Sequence, residues 1–316
     1  MTQPTMRAVS QQKLGGPEVL EQVELPRPSP GPAEMLVRVE ATSVNPTDFK
    51  HRANGGFLGR PPFTLGWDVA GVVEEVGLGV ALFQPGDPVL GMLPYPGRAG
   101  AYAEYVVSAP RRFVRRPAEI DVSHAGALPL VSLTAWQALV DIGNVSEGDR
   151  VLVHAAAGGV GHMAVQIAKA KGAYVIGTAS AAKHDFVRSL GADEMIDYTS
   201  EDFTEKATDI DIVLDTIGGE HGPRSVSTMR PGGTIVTLVV SNVHPDFVSR
   251  ARERGVRPAA MLVEPDHAAL RSITELYTAG RLRVELADVY PMSRVQQAHA
   301  VAERGRTAGK IALTWD

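Results

Sequence analysis

The hydrophobic pattern changes character once along the chain, close to Asp121. Before that point apolar residues come in short runs or in alternation. Met6–Val9 and Val19–Val23 flank a Gly15-Gly16-Pro17 turn, and Met35 to Glu40 alternates like a half-buried strand. Asn45-Pro46 stops that strand, and the following residues predict a short helix over Thr47–Arg52, ended by Gly55-Gly56. Asp68 to Gly77 reads as a further strand, with Gly66, Gly71 and Gly77 where a curved sheet bends. Val89–Gly91 follows a Pro85-Gly86-Asp87-Pro88 turn, and Ala101–Val107 is one more strand. Short strands punctuated by Gly/Pro turns predict a β-barrel-like domain.

Beyond Asp121 strands and helices alternate. Ser123 is placed to cap a helix through Ala127, and Leu133–Val140 is helical. Val151–Val153, Ala173–Gly177, Glu194–Ile196, Ile210–Asp215 and Thr234–Val240 read as strands. Helices are expected after Gly161, over Ala181–Leu190 and over Gly222–Met229. This alternation predicts a doubly wound parallel sheet covered on both faces, an α/β fold. Ala259–Val263 is a candidate edge strand and a natural self-pairing surface. A helix over Leu270–Ala279 precedes a last segment, Tyr290–Ser293, Val295–Arg304 and Ile311–Thr314, that returns to the first domain. The expected division is 1–122 with 286–316, and 123–285. Ser241–Arg257 is rich in charge and reads as a loop over the cleft or a dimer seam.

Composition narrows the class. The 316 residues are 44% hydrophobic and 21% charged, ordinary values for a globular enzyme. A net charge of -5 argues against a nucleic-acid surface, and the basic group Arg111, Arg112, Arg115 and Arg116 reads as a solvated connector. The absence of cysteine excludes disulfides and thiolate zinc sites. No apolar run is long enough to span a membrane, and the N-terminus carries no export signal, so a cytoplasmic location is expected.

The candidate chemistry begins at the first strand-to-helix turn of the second domain. Ala156-x-Gly158-x-x-Gly161 is a dinucleotide fingerprint with alanine for its first glycine. It follows a strand and opens a helix, so the backbone N–H groups of Ala157, Gly158, Gly159, Val160 and Gly161 are placed to meet a phosphate. After the next strand no acid occurs from Gly172 through Lys183 to bind ribose hydroxyls. Ser180 and Lys183 offer a hydroxyl and a positive charge suited to a 2′-phosphate, which points to NADP(H).

A set of segments in fixed order then carries a resemblance over nearly the whole chain. They are Asn45-Pro46-Thr47-Asp48-Phe49-Lys50-His51-Arg52, Gly66-Trp67-Asp68-Val69-Ala70-Gly71, Gly86-Asp87-Pro88-Val89, Leu133-Thr134-Ala135-Trp136, the Ala156–Gly161 turn, Leu190-Gly191-Ala192-Asp193 and Gly309-Lys310-Ile311. The chain resembles the zinc-independent medium-chain dehydrogenases/reductases, in their quinone oxidoreductase-like branch. The resemblance implies a GroES-like catalytic domain built from both chain ends, a Rossmann domain between, and a homodimer joined at sheet edges, here near Ala259–Val263. Zinc-bearing relatives have a Cys near the Asn45 position and Gly-His-Glu at the Gly66–Asp68 position. This chain has neither, so no metal is expected.

Without a Lewis acid a developing alkoxide goes unstabilised, which leaves hydride transfer to conjugated acceptors such as quinones and α,β-unsaturated carbonyls. The resemblance further implies that Asn45 lies beside the nicotinamide and Thr134 near the pyrophosphate or nicotinamide ribose. Tyr198 flanks the adenosine phosphate with Ser180 and Lys183, while Ile217 and Leu238 border the adenosine and nicotinamide portions. Asn45, Asp48, Trp67 and Tyr95 are the candidate catalytic residues. Each has a plainer reading: Asp48 and Arg52 as an i,i+4 ion pair, Trp67 as core, Tyr95 as loop packing. His154 and His162, flanking the glycine turn, read as packing and an exposed helix start. Three functions are consistent with these residues: NADPH-dependent quinone reduction, enoyl or alkenal reduction, and an NADPH-binding interaction protein with little turnover.

Overall fold

A computed structural model describes residues 4–97 and 100–315. Its contacts divide the chain into two units. One comprises residues up to Leu133 with Glu264–Thr278 and Val284 onward; the other comprises Thr134–Val263 with Ala279–Arg283.

The first unit opens with β1 (Thr5–Gln11), β2 (Glu21–Pro26), β3 (Met35–Val44), α1 (Pro46–Asn54) and β4 (Phe63–Thr64). It continues through β5 (Asp68–Val76), β6 (Pro88–Met92), β7 (Tyr105–Ser108), β8 (Phe113–Arg115) and α2 (Val122–Ala127). The division between the units falls inside α3 (Pro129–Trp136). The second unit holds β9 (Arg150–Val153), α4 (Gly159–Ala170), β10 (Tyr174–Ala179), α5 (His184–Ser189), β11 (Glu194–Asp197) and α6 (Phe203–Lys206). β12 (Ile210–Asp215), α7 (His221–Ser227), β13 (Met229–Thr237), α8 (Phe247–Arg254) and β14 (Arg257–Ala260) complete it. The chain then returns to the first unit through α9 (His267–Thr278), β15 (Leu286–Pro291), α10 (Val295–Glu303) and β16 (Lys310–Thr314).

In the first unit, β2-β1-β4 form a small antiparallel sheet. A larger seven-stranded sheet runs β15-β16-β3-β5-β6-β8, with β7 alongside β3. A core of Val9, Leu20, Phe63, Leu65, Tyr102, Met292, Val295 and Leu313 joins segments from both chain ends. This is the GroES-like arrangement. The second unit is a six-stranded parallel sheet in the order β11-β10-β9-β12-β13-β14. Leu152, Ile176, Val213 and Ile235 on its strands pack with Phe203, Val226 and Phe247 from its helices. The order reverses between β9 and β12, so a crevice opens at the carboxyl ends of the strands, where doubly wound sheets bind ligands.

Several elements differ from expectation. Pro17 starts a 3-10 turn that turns Val19 and Leu20 inward, so β2 begins only at Glu21. β3 ends at Val44, where Asn45-Pro46 was expected to stop it, but Ala41–Val44 is buried on both faces and lacks the alternation of Met35–Glu40. Asp121, not Ser123, caps α2: its carboxylate accepts the Ser123 N–H. The helix over Leu133–Val140 splits into α3 and a π-helical turn at Gln137–Ile142. The charged Ser241–Arg257 stretch is largely α8, whose basic residues lie on the exposed side. The arginine group is no free connector either, since Phe113–Arg115 pairs with β6 and Arg115 bridges to Asp87. Among the described residues no helix is long and apolar enough to cross a membrane.

Candidate functional site

At the β9–α4 turn the left-handed position is held by Ala155, at φ 48°. The next residue, Ala156, donates its N–H to Thr178 O at 2.9 Å, tying the turn to β10. α4 starts at Gly159, three residues before the expected start, with Gly158 as its cap and no side chain covering its first N–H groups. An anion there meets unpaired donors at the positive end of a 12-residue helix. Gly161 is needed for a different reason. A Cβ on it would lie 2.3 Å from Ala155 O and 2.8 Å from Ala156 Cα, so only glycine lets the helix seat against the turn.

The other residues expected around a nucleotide follow the carboxyl ends of this sheet. Ser180 follows β10, Tyr198 follows β11, Ile217 follows β12 and Leu238 follows β13. Tyr198 is 59% and Ile217 41% exposed, so both side chains are open to solvent beyond the strand ends. Leu238 N–H donates to Asp215 O at 2.9 Å, and Asp215 accepts the N–H groups of Ile217 and Gly218, which holds both loop starts. Lys183 ends a 3-10 turn led by Ser180; among the described residues it has no acidic partner, and partial burial pulls its ammonium below the usual lysine range. Thr134 lies buried in α3. The glycine turn, the Ser180–Lys183 pair and the exposed Tyr198 fit a dinucleotide carrying a 2′-phosphate.

The two histidines flanking the turn are structural. His154 is buried between Thr178 and Ser225 and packs edge-on to Phe203; burial lowers its value to about 4. His162, expected at an exposed helix start, is buried, with Nδ1 2.9 Å from Gly158 O.

In the first unit the candidate residues around Asn45 form one buried polar cluster. Asn45 Nδ2 donates to Asp68 Oδ2 at 2.8 Å, and its Oδ1 accepts from Lys310 Nζ at 2.5 Å. Lys310 also donates to Val44 O at 3.0 Å. Asp68 accepts the Ser43 hydroxyl at 2.5 Å and the Leu130 N–H at 2.6 Å. Asp48 accepts the N–H groups of Asn45 at 2.8 Å and Gly66 at 3.0 Å. Two carboxyl groups and one ammonium thus lie in the same interior region, the ammonium bonded to Val44 O and Asn45 and acting on the carboxyl groups through space. Burial, with the Asp68 charge adding to it, pushes Asp48 up to about 7 against its two N–H donors. Burial likewise pulls Lys310 down.

The Asp48–Arg52 ion pair expected from spacing does not form. Asp48 faces inward to Gly66, whereas Arg52 donates to Gly15 O and His299 and pairs with Glu303 on α10. Helical spacing puts two residues on one face but does not say which neighbours compete for them.

Beside this cluster lies an aromatic group. Trp67 is fully buried, donates Nε1–H to Gly97 O at 3.2 Å, and has no ring face left for stacking a ligand. It instead supports Tyr95 edge-on at 5.3 Å and His51 at 5.3 Å. Tyr95 is half-buried, and Phe57, 58% exposed, stands edge-on to it at 6.4 Å. Lys310, Asp68, His51 and Thr47 were missed as site residues. All four lie in the segments that carry the resemblance, and Lys310 also stands out as a lysine opening the apolar run Lys310-Ile311-Ala312-Leu313.

A resident zinc ion does not fit this cluster. The cluster's two carboxylates are already taken by N–H and hydroxyl donors, and the Lys310 ammonium, itself a cation, is bonded to Asn45 beside them.

Comparison with known proteins agrees with this geometry. Residues 31–118 match the alcohol dehydrogenase GroES-like domain, and residues 190–313 match the zinc-binding dehydrogenase family. The chain is 33% identical to a 2-haloacrylate reductase of Burkholderia sp over 95% of this chain and 96% of that protein. It superposes on the quinone oxidoreductase of Coxiella burnetii with a TM-score of 0.93 at 34% identity, covering 99% of this chain and 100% of that one. The Escherichia coli quinone oxidoreductase complexed with NADPH gives a TM-score of 0.89 at 28% identity, covering 98% and 100%.

Proposed function

The chain belongs to the medium-chain dehydrogenase/reductase family, quinone oxidoreductase type, and from that premise we propose that it is an NADPH-dependent reductase of quinones and other conjugated carbonyl compounds. One observation carries the reading. The Lys310 ammonium and the Asn45–Asp68 hydrogen bond fill the interior beside Asn45, where zinc-bearing relatives place ligands. A substrate here is therefore one whose own conjugation delocalises the incoming charge.

NADPH, when bound, supplies the hydride. The N–H groups of Ala157, Gly159, Val160 and Gly161 would hold its pyrophosphate, that of Gly158 being already given to Ala155 O at 2.8 Å; Ser180 and Lys183 would hold its 2′-phosphate, and Tyr198, Ile217, Leu238 and Thr134 would flank its remaining parts. Asn45 and Asp48 act by placement. Both are locked in the buried network, so the backbone leading into α1 is held in one position. Trp67 braces Tyr95, which with the exposed Phe57 forms an apolar face for a planar acceptor.

The test is steady-state NADPH oxidation with a panel of quinones and 2-alkenals, followed by product analysis. Hydroquinone formation supports the proposal; protein that binds NADPH and turns over no acceptor refutes it and leaves an NADPH-binding protein. A second reading, reduction of a carbon–carbon double bond, is favoured by the likeness to a 2-haloacrylate reductase. A saturated carbonyl product identifies it. The proposal includes a homodimer joined at β14, the edge strand of the parallel sheet, and a cytoplasmic location.

A further inference from the structure

The hydrogen bonds around Tyr95 have a direction, and it can be worked out from one atom that can only accept. His51 Nδ1 lies 2.7 Å from the backbone carbonyl of Thr47. A carbonyl has no proton to give, so Nδ1 carries the hydrogen and Nε2 the lone pair. Burial lowers the His51 value, which keeps the ring neutral in this tautomer. Nε2 is buried and has no hydrogen-bond partner among the described residues. The same Nδ1 is 3.0 Å from Thr47 Oγ1. Because Nδ1 already holds a hydrogen, Thr47 Oγ1 can only accept there, and its own hydrogen goes elsewhere. Its other partner is the Tyr95 hydroxyl at 3.2 Å. Tyr95 oxygen therefore accepts from Thr47, and the phenolic hydrogen is left without an acceptor among the described residues. Tyr95 is half-buried on the face shared with the exposed Phe57.

We propose that Tyr95 is the proton donor of the reduction, with Thr47 and His51 as positioning residues that aim its phenolic hydrogen at the carbonyl oxygen of a conjugated acceptor. This rests on the reductase reading above. As a hydride from NADPH adds to the conjugated system, its electron pair forms the new C–H bond and the π electrons move to the acceptor oxygen. The Tyr95 O–H bond then breaks, its proton forming the acceptor O–H and its electron pair staying on the phenolate. The Thr47 hydroxyl bonded to that oxygen stabilises the charge, and a solvent proton restores the phenol. One hydride and one proton enter, giving the enol of an alkenal directly; from a quinone they give the hydroxydienone, which becomes the hydroquinone when the carbon that took the hydride loses a proton to solvent and the second oxygen gains one.

Two measurements test this. The first needs no turnover: 15N NMR of histidine-labelled, ligand-free protein should show His51 as the Nδ1–H tautomer. An Nε2–H tautomer reverses the chain of donors and overturns the proposal. The second compares Tyr95→Phe, Thr47→Val and Thr47→Ser with wild type, using NADPH and a simple 2-alkenal or benzoquinone. Tyr95→Phe should lower kcat by about 100-fold, the lower range for loss of a general acid, and abolish the solvent deuterium isotope effect on kcat. Thr47→Val should lower kcat by about tenfold with NADPH affinity unchanged, and Thr47→Ser should restore most of that rate. The double variant Thr47→Val/Tyr95→Phe should be no slower than Tyr95→Phe alone, since Thr47 acts through Tyr95. Full activity in Tyr95→Phe, or additive losses in the double variant, overturns the proposal. A wild-type protein that turns over no acceptor instead refutes the reductase reading, and the tautomer measurement still stands or falls independently.

Discussion

Lys310→Met removes the one ammonium from the buried cluster while keeping a stem of similar length. The loss can be built from the contacts. Two hydrogen bonds disappear, to Val44 O and Asn45 Oδ1, and both oxygens stay buried. Hydrogen bonds from a charged donor contribute about 1.5–3 kcal/mol each, so about 3–6 kcal/mol is at stake before the methionine stem recovers some packing. A net loss of about 3–5 kcal/mol matches what removing one partner of a buried charge group costs. At roughly 2–4 °C per kcal/mol, this lowers Tm by about 6–20 °C. The loss also depends on pH with a definite sign. Asp48 is raised by burial from 3.8 to about 7, so the stability from its protonation is full below 3.8 and lost as pH rises through 7. The Lys310 charge opposes that rise, so its removal raises Asp48 further and deepens the loss on the alkaline side. Differential scanning calorimetry should therefore show a wider gap between wild type and variant at pH 8 than at pH 6. A Tm within about 2 °C of wild type at both pH values, or a wider gap at pH 6, refutes the reasoning.

Lys183→Ala should weaken NADPH by about 10–100-fold, the loss of one or two charge-assisted bonds to phosphate, and leave NADH nearly unchanged. Fluorescence titration of both cofactors measures this, and an equal loss for the two removes the 2′-phosphate assignment. Gly161→Ala should destabilise the protein by about 1–3 kcal/mol despite alanine's better helix propensity, because its Cβ meets Ala155 O at 2.3 Å. An unchanged Tm in thermal unfolding shows that the turn relaxes freely. Sedimentation velocity should give twice the chain mass if β14 joins two copies; a monomer at micromolar concentration rejects the dimer.

How far the pattern of residues reached depended on what each element packs against. The central strands β9, β10 and β12 were legible because they are apolar runs bounded by glycine and polar turns, whereas β13 starts at Met229 through Arg230-Pro231-Gly232-Gly233 and β14 is Arg257–Ala260 rather than Ala259–Val263, since neither start is marked by an apolar run. In β3 alternation is legible only as far as Glu40, because beyond it Thr42 and Ser43 are buried polar residues; the strand's end was legible from Asn45-Pro46. At the nucleotide end the expected residues are local in sequence: motif and spacing pointed to the glycine turn and to Ser180 and Lys183, whereas Thr134, Tyr198, Ile217 and Leu238 came from the resemblance. The Asn45 cluster is different. Its cation arrives 265 residues later, on a strand that period alone presents as ordinary core. Helical spacing misled at Asp48 and Arg52 for the same reason, since their real partners are Gly66 and Glu303, remote in the chain.

The place of β16 has a consequence for biosynthesis. It pairs with β3 from Ala41 to Val44 on one side and with β15 on the other. The span from Val44 to Lys310 is 266 residues, which at roughly 5–20 residues per second takes about 13–53 s to translate. Throughout that interval the end of β3 has an unpaired edge, while residues Thr134–Val263 emerge with every strand of their own sheet. The sheet of the second unit can thus form before β16 is made, and the first unit is completed only once β16 has emerged. In that window the nascent chain presents buried-type residues at an open strand edge, the kind of segment that chaperones recognise and that aggregates when they are scarce.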